Sequence, residues 1–175
     1  MAQPLTIRRY QPGDGPRVQA VHEAAMRAAG AYVEGVPDDD LETIPETYLD
    51  TAGTFLVGTV DGRIVATGAL RPVSEATIAA KYSATSPDST VELTRLRVAP
   101  DHQRCGYGGR CCDELERRAR TRGATAIVLD TLSIQSAAQG LYETQGFELV
   151  HREPIEQSAE KVDLLVYRKE LVESG

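Results

Sequence analysis

The sequence predicts an α/β (α+β) fold, with a mixed central sheet of about seven strands flanked by about four helices. Strand-like and helix-like runs follow one another in the order β α α β β β α β α β β. A strand–helix–strand unit stands at the centre of the chain, between hairpins, which indicates a sheet with both parallel and antiparallel neighbours. No repeat or linker divides the chain, so residues 1–175 are predicted to form a single domain.

A strand and two helices are predicted ahead of the first hairpin. Leu5 and Ile7 share one face of a short strand that a Pro-Gly-Asp turn ends. Apolar residues then recur at helical spacing until Gly30. A second, short helix is predicted in PDDDLETIPETYLD, where Pro45 interrupts or restarts it. A carboxylate cluster at its start suits a cationic amine, but we interpret the acidic residues as helix-capping.

The clearest hairpin joins two β-rich runs, Phe55–Val60 and Arg63–Leu70, through the strong turn signal Asp61-Gly62. The polar stretch SEATIAAKYSATSPDST follows the hairpin and predicts a loop. Loops of this length are uncommon in compact domains and are usually functional or mobile.

The next strand, TVELTRLRVAP, leads into an unusual turn. Its residues Leu93 and Leu96 are out of phase with strict alternation, which predicts a β-bulge between them. The turn that follows contains Gly106, Gly108 and Gly109, directly before a predicted helix. Such a junction presents unpaired N–H groups and the positive end of the helix dipole, and together these form an anion site.

One strand, one helix and a last hairpin complete the predicted fold. ATAIVLDTL is a continuous apolar run and predicts a fully buried strand. QSAAQGLYETQG predicts a short helix capped by Gly146, and FELVHREP and KVDLLVYRKEL predict two final strands that pair with each other.

Two common phosphate-binding motifs do not fit the glycine turn. A dinucleotide fingerprint that starts at Gly106 would need a third glycine where Cys111 stands. A P-loop would need Gly-Lys-Ser/Thr, and the chain has Gly109-Arg110-Cys111.

A third pattern fits. QRCGYG resembles the Gln/Arg-x-x-Gly-x-Gly/Ala signature with which GNAT (GCN5-related) N-acetyltransferases bind the pyrophosphate of acetyl-CoA. The preceding LRVAP and the following AIVLDT also match the family's order of elements. QSAAQGLYETQGF resembles Asn-x-x-Ala-x-x-Leu-Tyr-x-x-x-Gly-Phe, with Gln135 in place of asparagine. The resemblance covers nearly the whole chain and implies the GNAT fold.

The resemblance also implies a set of site residues. Tyr142 would be the general acid, and Glu92 the general base, although Glu92 would equally suit an ion pair with Arg95 or Arg97. His22 and His102 are weaker candidates for the base. The residues implied in binding acetyl-CoA are Leu96, Arg97, Val98, Gln103, Arg104, Cys105, Gly106, Tyr107, Gly108, Gly109, Gln135 and Ala138.

Composition excludes several classes of function. The net charge of −7 argues against nucleic acid and anionic membranes as partners. The three cysteines, Cys105, Cys111 and Cys112, suit neither a disulfide framework nor a zinc site, so no metal is expected. They have no adjacent histidine, which disfavours a covalent acetyl-cysteine route. No membrane span or signal segment is visible, and we expect a cytoplasmic protein.

These observations predict an N-acetyltransferase that uses acetyl-CoA as cosubstrate and transfers the acetyl group directly, within a ternary complex. The acceptor would be a primary amine: a small amine, an amino acid or a peptide N-terminus. The alternative is a non-catalytic acyl-CoA-binding sensor or interaction domain of the same fold. The resemblance further implies a homodimer.

Overall fold

The computed structural model describes residues 4–35, 38–73, 89–155 and 161–171. Within them the strands are β1 (Thr6–Arg9), β2 (Thr54–Val60), β3 (Arg63–Pro72), β4 (Thr90–Val98), β5 (Ala126–Leu132), β6 (Glu148–Ile155) and β7 (Val162–Glu170). The α-helices are α1 (Gly15–Ala28), α2 (Asp39–Glu42), α3 (Tyr107–Thr121) and α4 (Ser136–Thr144). A π-helical turn (Pro45–Leu49) follows α2, and a 3₁₀ turn (Pro100–His102) precedes α3.

The strands form a seven-stranded sheet in the order β1-β2-β3-β4-β5-β7-β6. β1 to β4 are antiparallel neighbours, as are β5, β7 and β6, whereas β4 and β5 run parallel, with α3 connecting them. The predicted fold class and element order are confirmed. The long polar loop predicted after β3 falls on residues 74–88, outside the described residues.

The predicted hairpin and bulge are both present. Asp61 (φ 51°) and Gly62 (φ 78°) adopt the left-handed conformations that a tight hairpin turn requires. Further along, Ala69 pairs with Thr94 and Thr67 pairs with Arg97, so two residues of β4 lie opposite one residue of β3. The extra residue is a β-bulge, and Arg95 within it has a φ of 56°.

The bulge determines which side chains of β4 lie on the α3 face of the sheet and which lie on the α1 face. Leu96 lies on the α3 face, where it contacts Gly68 beside Leu115 of α3. A Cβ atom added to Gly68 would lie 2.8 Å from Leu115 Cδ1 and 3.2 Å from Leu96 Cδ1, so α3 packs on bare backbone here. Arg97, the next residue of β4, therefore projects towards α1 on the opposite face.

β4 and β5 separate soon after they begin. They pair over Thr90–Glu92 and Ala126–Val128, after which β5 continues to pair with β7 as far as Leu132. An opening therefore forms between the carboxyl-terminal halves of β4 and β5. The expectation that β5 is fully buried is wrong at Asp130, whose side chain is exposed because β4 has turned away from it.

Candidate active site

A cleft of about 620 Å³ lies beside the carboxyl-terminal end of β4, where β4 has separated from β5. Its walls come from α1, the end of β4, the glycine turn with the start of α3, and α4. The predicted binding residues on its wall are Leu96, Arg97, Val98, Gln103, Arg104, Gly106, Tyr107, Gly108, Gly109, Gln135 and Ala138. Cys105 is not part of this wall, and its thiol is exposed.

The glycine turn brings backbone N–H groups to one end of the cleft. Gly106 has a φ of 81°, a conformation that favours glycine, and α3 begins at the next residue. The N–H of Arg110 donates to the carbonyl of Gly106 at 3.2 Å. The N–H groups of Gly108 and Gly109 precede this bond in the first turn of α3, and no described main-chain carbonyl accepts from them. They provide donors for an anion.

Two of the glycines also let α3 approach α4 closely. A Cβ atom on Gly108 would lie 3.1 Å from Leu141 Cδ2, and one on Gly109 would lie 3.2 Å from Gln145 Nε2. The three glycines therefore serve different purposes. Gly106 supplies the left-handed turn, and Gly108 and Gly109 bring the helix end against α4.

Gln135, which replaces the asparagine of the resemblance, supports the opposite wall of the cleft. Its Oε1 accepts hydrogen bonds from the Thr131 hydroxyl at 3.0 Å and from the Leu132 N–H at 3.1 Å. Its Nε2 lies 3.7 Å from Met26 Sδ of α1. Gln135 thus closes the end of β5 and connects it to α1 across the cleft.

Tyr142 lies on the cleft wall and is 4% exposed. Burial raises the pKa of its phenol above the ordinary value, and the nearby positive charge of Arg97 opposes this rise. Asp130 is close enough to raise the pKa of Tyr142 further. With its pKa raised, the phenol stays protonated at neutral pH.

Glu92 is placed differently from the expectation. It is 2% exposed, and it is not among the cleft-lining residues. The alternative of an ion pair with Arg95 or Arg97 is not formed, because Arg71 Nη2 donates to Glu92 Oε1 at 2.8 Å. Arg71 stands directly opposite Glu92 in the register of β3 and β4, which accounts for the pairing.

Asp130 is the carboxylate that sequence reasoning missed. It is exposed on β5, beyond the stretch that pairs with β4, and it is not among the cleft-lining residues. The protein around it raises its pKa by desolvation, against the effect of the positive charges of Arg71 and Arg97. The signal that could have found it is the single charge that interrupts the apolar run AIVLDTL.

The acidic residues around α2 bind an arginine and do not cap the helix. Asp38 at the N-cap position makes no side-chain capping bond. Arg95 Nη2 lies 2.6 Å from Asp40 Oδ1, and Arg95 Nη1 lies 3.2 Å from Asp38 Oδ1. Tyr48 donates its hydroxyl proton to Asp40 at 2.6 Å. The capping interpretation is therefore wrong, and this cluster ties α2 to the β4 bulge.

His22 connects the cluster to Arg97. Arg97 Nε donates to His22 Nδ1 at 3.3 Å, and His22 Nε2 lies 3.2 Å from Asp38 Oδ2. A neutral ring with its proton on Nε2 satisfies both contacts. Burial lowers the pKa of His22 to about 4, and the positive charges of Arg97 and Arg95 contribute. His22 is thus neutral at pH 7 and orients Arg97.

Comparison with known proteins places this arrangement in a family. Residues 18–147, well over half of the chain, match the model of the Acetyltransferase (GNAT) family. The chain belongs to the GNAT acetyltransferase family.

Curated members of the GNAT family match part of the chain. The probable N-acetyltransferase camello of Xenopus tropicalis is 32% identical over 110 residues, which are 62% of this chain and 45% of that protein. N-acetyltransferase 8B of Homo sapiens is 30% identical over 118 residues, 67% of this chain and 48% of that protein. The chain spans about half the length of these curated relatives.

Solved structures confirm the GNAT fold. A GNAT acetyltransferase from Staphylococcus aureus Mu50 superimposes with a TM-score of 0.76 at 20% identity, over 97% of this chain and 100% of that one. A putative acetyltransferase from Salmonella typhimurium, solved with its cofactor acetyl-CoA, gives the same TM-score of 0.76 at 20% identity, over 97% and 95%.

The structure also places the remaining charged and nucleophilic residues near the glycine turn of this GNAT domain. Arg110 Nη1 donates to the carbonyl of Leu5 at 2.9 Å, and Arg110 is not among the cleft-lining residues. His102 lies on the cleft wall, beside the ring of Tyr107 at 6.4 Å. Burial raises the pKa of both Cys111 and Cys112 to about 12, so neither is a thiolate at neutral pH.

The described residues of this GNAT domain contain neither a metal-binding cluster nor a membrane-spanning helix. No group of three or more His, Cys, Asp or Glu side chains there could hold a metal ion. In the same ranges, no helix combines the length and apolar character needed to cross a membrane.

The buried, neutral His22 predicts a loss of stability in acid. Its folded pKa of about 4 lies below the unfolded value, so the unfolded chain takes up the proton first as pH falls. Stability is therefore full near neutrality and falls as pH drops through the unfolded value, by about 2 kcal/mol between about pH 7 and about pH 5. Urea unfolding of the wild type and His22→Gln at both pH values measures this loss.

The matched control is His102→Gln, which should keep the acid sensitivity of the wild type. His22→Gln should lose most of it. Equal losses of unfolding free energy in the wild type and in His22→Gln would contradict the assignment.

Proposed function

We propose that this protein is an N-acetyltransferase that moves the acetyl group of acetyl-CoA directly to a primary amine. The observation that carries the proposal is the cleft between β4 and β5, which has a glycine turn at one end and Tyr142 on its wall. Membership of the GNAT family and a fold neighbour solved with acetyl-CoA support it.

The cleft suits the shape and charge pattern of acetyl-CoA. The pyrophosphate would accept hydrogen bonds from the backbone of Gln103–Gly109 and meet the positive end of the α3 dipole. The pantetheine arm would lie along Leu96–Val98, where β4 has separated from β5 and its outer edge has backbone groups to offer. An N–H near Leu96 would then stabilise the oxyanion of the thioester carbon.

An alkylammonium acceptor loses two protons, one to the base before attack and one to solvent as the tetrahedral intermediate collapses, and the leaving sulfur gains one. The neutral amine nitrogen attacks the thioester carbon, the C–S bond breaks as the tetrahedral intermediate collapses, and CoA leaves as a thiolate. Tyr142 would donate its proton to that sulfur, because its raised pKa keeps the phenol protonated. The tyrosine then recovers a proton from solvent.

Asp130 is better placed than Glu92 to act as the base. An alkylammonium ion has a pKa of about 10 and must lose a proton before attack. Neither residue is on the cleft wall, but Asp130 is exposed on β5, and its raised pKa makes it a stronger proton acceptor than an ordinary aspartate. Glu92 is buried against Arg71 and would serve to hold β3 and β4 together.

The homodimer and the cytoplasmic location remain predictions from the sequence.

The left-handed turn at Gly106 predicts a specific loss of cosubstrate binding. Gly106→Ala places a side chain at a φ of 81°, a strain of about 1–2 kcal/mol. We expect the turn to relax and the affinity for acetyl-CoA to fall about tenfold or more. Isothermal titration of purified protein with acetyl-CoA measures this.

Gly123→Ala is the matched control, since Gly123 has a φ of 85° and ends α3 far from the glycine turn. It should cost similar stability and leave the affinity unchanged. Equal affinities for Gly106→Ala and Gly123→Ala would count against the glycine turn as the phosphate site.

The catalytic roles predict different defects in three variants. Free thiol release from acetyl-CoA, measured with a panel of amines, amino acids, polyamines and short peptides, should fall about 10²–10⁴-fold in Tyr142→Phe and by about 10² or more in Asp130→Asn. Glu92→Gln should keep most of its turnover at low temperature but melt earlier, because Arg71 loses its partner.

Each outcome decides a separate part of the proposal. Full turnover in Tyr142→Phe would remove Tyr142 from the acid role, and full turnover in Asp130→Asn would return the base role to another group. Acetyl-CoA binding without thiol release for any acceptor in the panel would favour a non-catalytic acyl-CoA sensor instead.

A further inference from the structure

The adjacent strands β3 and β4 carry Arg71, Arg95 and Arg97, and Arg97, the one of the three on the cleft wall, differs from the other two. Arg71 pairs with Glu92 at 2.8 Å, and Arg95 pairs with Asp40 at 2.6 Å. Among the described residues, no carboxylate oxygen lies within 4.0 Å of the Arg97 guanidinium.

Arg97 also retains most of its hydrogen-bonding capacity. A guanidinium has five N–H donors. Arg97 Nε donates to His22 Nδ1 at 3.3 Å, and Nη1 donates to the carbonyl of Leu96 at 2.9 Å. Both acceptors are neutral, and three N–H groups remain for other partners. A partly buried cation with neutral acceptors alone recovers little of its desolvation cost, whereas an anion would recover much of it.

The electrostatic surroundings of Arg97 strengthen the preference for an anion. Burial disfavours its charged form, and Arg95 adds a second positive charge nearby. Asp38 and the exposed Asp130 also act on Arg97 through space, but neither forms an ion pair with it. Among the described residues, Arg97 on the cleft wall is therefore a positive group without an ion-pair partner.

Acetyl-CoA would not supply the missing anion. Its phosphates would lie at the glycine turn, at the far end of the cleft, and its pantetheine arm is uncharged. The acceptor, which must reach the thioester beside Tyr142, is the molecule that could bring a negative group to Arg97.

We propose that Arg97 binds a carboxylate of the acceptor, so that the preferred substrates are amino acids, with the amine directed towards Asp130. This inference rests on the proposed acetyltransferase function and specifies its substrate class. The three remaining N–H donors of Arg97 suit the two oxygens of a carboxylate. His22, held by Asp38, is a positioning residue that fixes the orientation of Arg97.

The test compares acceptors that differ in the carboxylate. Thiol release is measured with α-amino acids and with the α-carboxamide of each. For each pair, kcat/KM for the acid is divided by kcat/KM for the amide. This acid-to-amide ratio is then compared between wild type and Arg97→Gln, because the difference in amine pKa within a pair affects both enzymes alike. We expect this ratio to fall about tenfold to a hundredfold in Arg97→Gln. The loss should lie mainly in KM for the acid, and Arg97→Lys should restore part of it.

Arg104→Gln is the matched control, because Arg104 lies on the same cleft wall at the glycine turn. It should change KM for acetyl-CoA and leave the acid-to-amide ratio alone. A readout independent of turnover is the melting temperature with CoA and the N-acetyl amino acid, which should rise in wild type and much less in Arg97→Gln.

An unchanged ratio in Arg97→Gln would overturn the inference, as would an equal loss of kcat for acids and amides. Acetylation of simple amines but of no amino acid would also overturn it while leaving the proposed function standing. If the protein does not bind acetyl-CoA, or if none of the amines tested supports thiol release, the proposed acetyltransferase function itself is contradicted.

Discussion

The extra residue in β4 is the constraint on which the site depends. It turns β4 away from β5, and the separation opens the cleft, exposes Asp130 and places Arg97 on the α1 face. The conformation is costly, because Arg95 adopts a φ of 56° that a side chain disfavours by roughly 1–2 kcal/mol. Thr67 donates its hydroxyl proton to the Arg95 carbonyl at 2.7 Å, and Asp40 and Asp38 bind the Arg95 side chain. A glycine would relieve the strain but lose these ion pairs.

The charges near the bulge divide into two sets with different roles. Arg95, Asp38 and Asp40 neutralise one another and fasten α2 against β4, and Arg71 and Glu92 do the same across β3 and β4. Removing these charges would mainly affect stability, since their groups are already paired. Arg97 lies on the cleft wall and Asp130 is exposed on β5, and neither forms an ion pair among the described residues. A partly buried charged side chain without an ion-pair partner destabilises the fold. Its presence is therefore better explained by a role in binding a ligand than by a role in stability.

The sequence predicted the architecture well because local signals specify it. The Asp61-Gly62 turn, the phase break between Leu93 and Leu96, and the clustered glycines each identify a conformation that few other residues favour. Long-range pairings were less accessible. Glu92 meets Arg71 because of the strand register, and the carboxylates of α2 meet Arg95 because a bulge directs that side chain towards them. Asp130 sits in an apolar run typical of a buried strand, and only the divergence of β4 exposes it.

The most direct test of this account is hydrogen–deuterium exchange of the backbone amides with and without acetyl-CoA. If the arm lies along β4 and the phosphates meet the start of α3, acetyl-CoA should slow exchange in Leu96–Val98 and in Gly106–Gly109. The distant Asp61-Gly62 turn should exchange at an unchanged rate. Slower exchange confined to other parts of the chain, while acetyl-CoA demonstrably binds, would contradict the claim that the opening between β4 and β5 is the cosubstrate site.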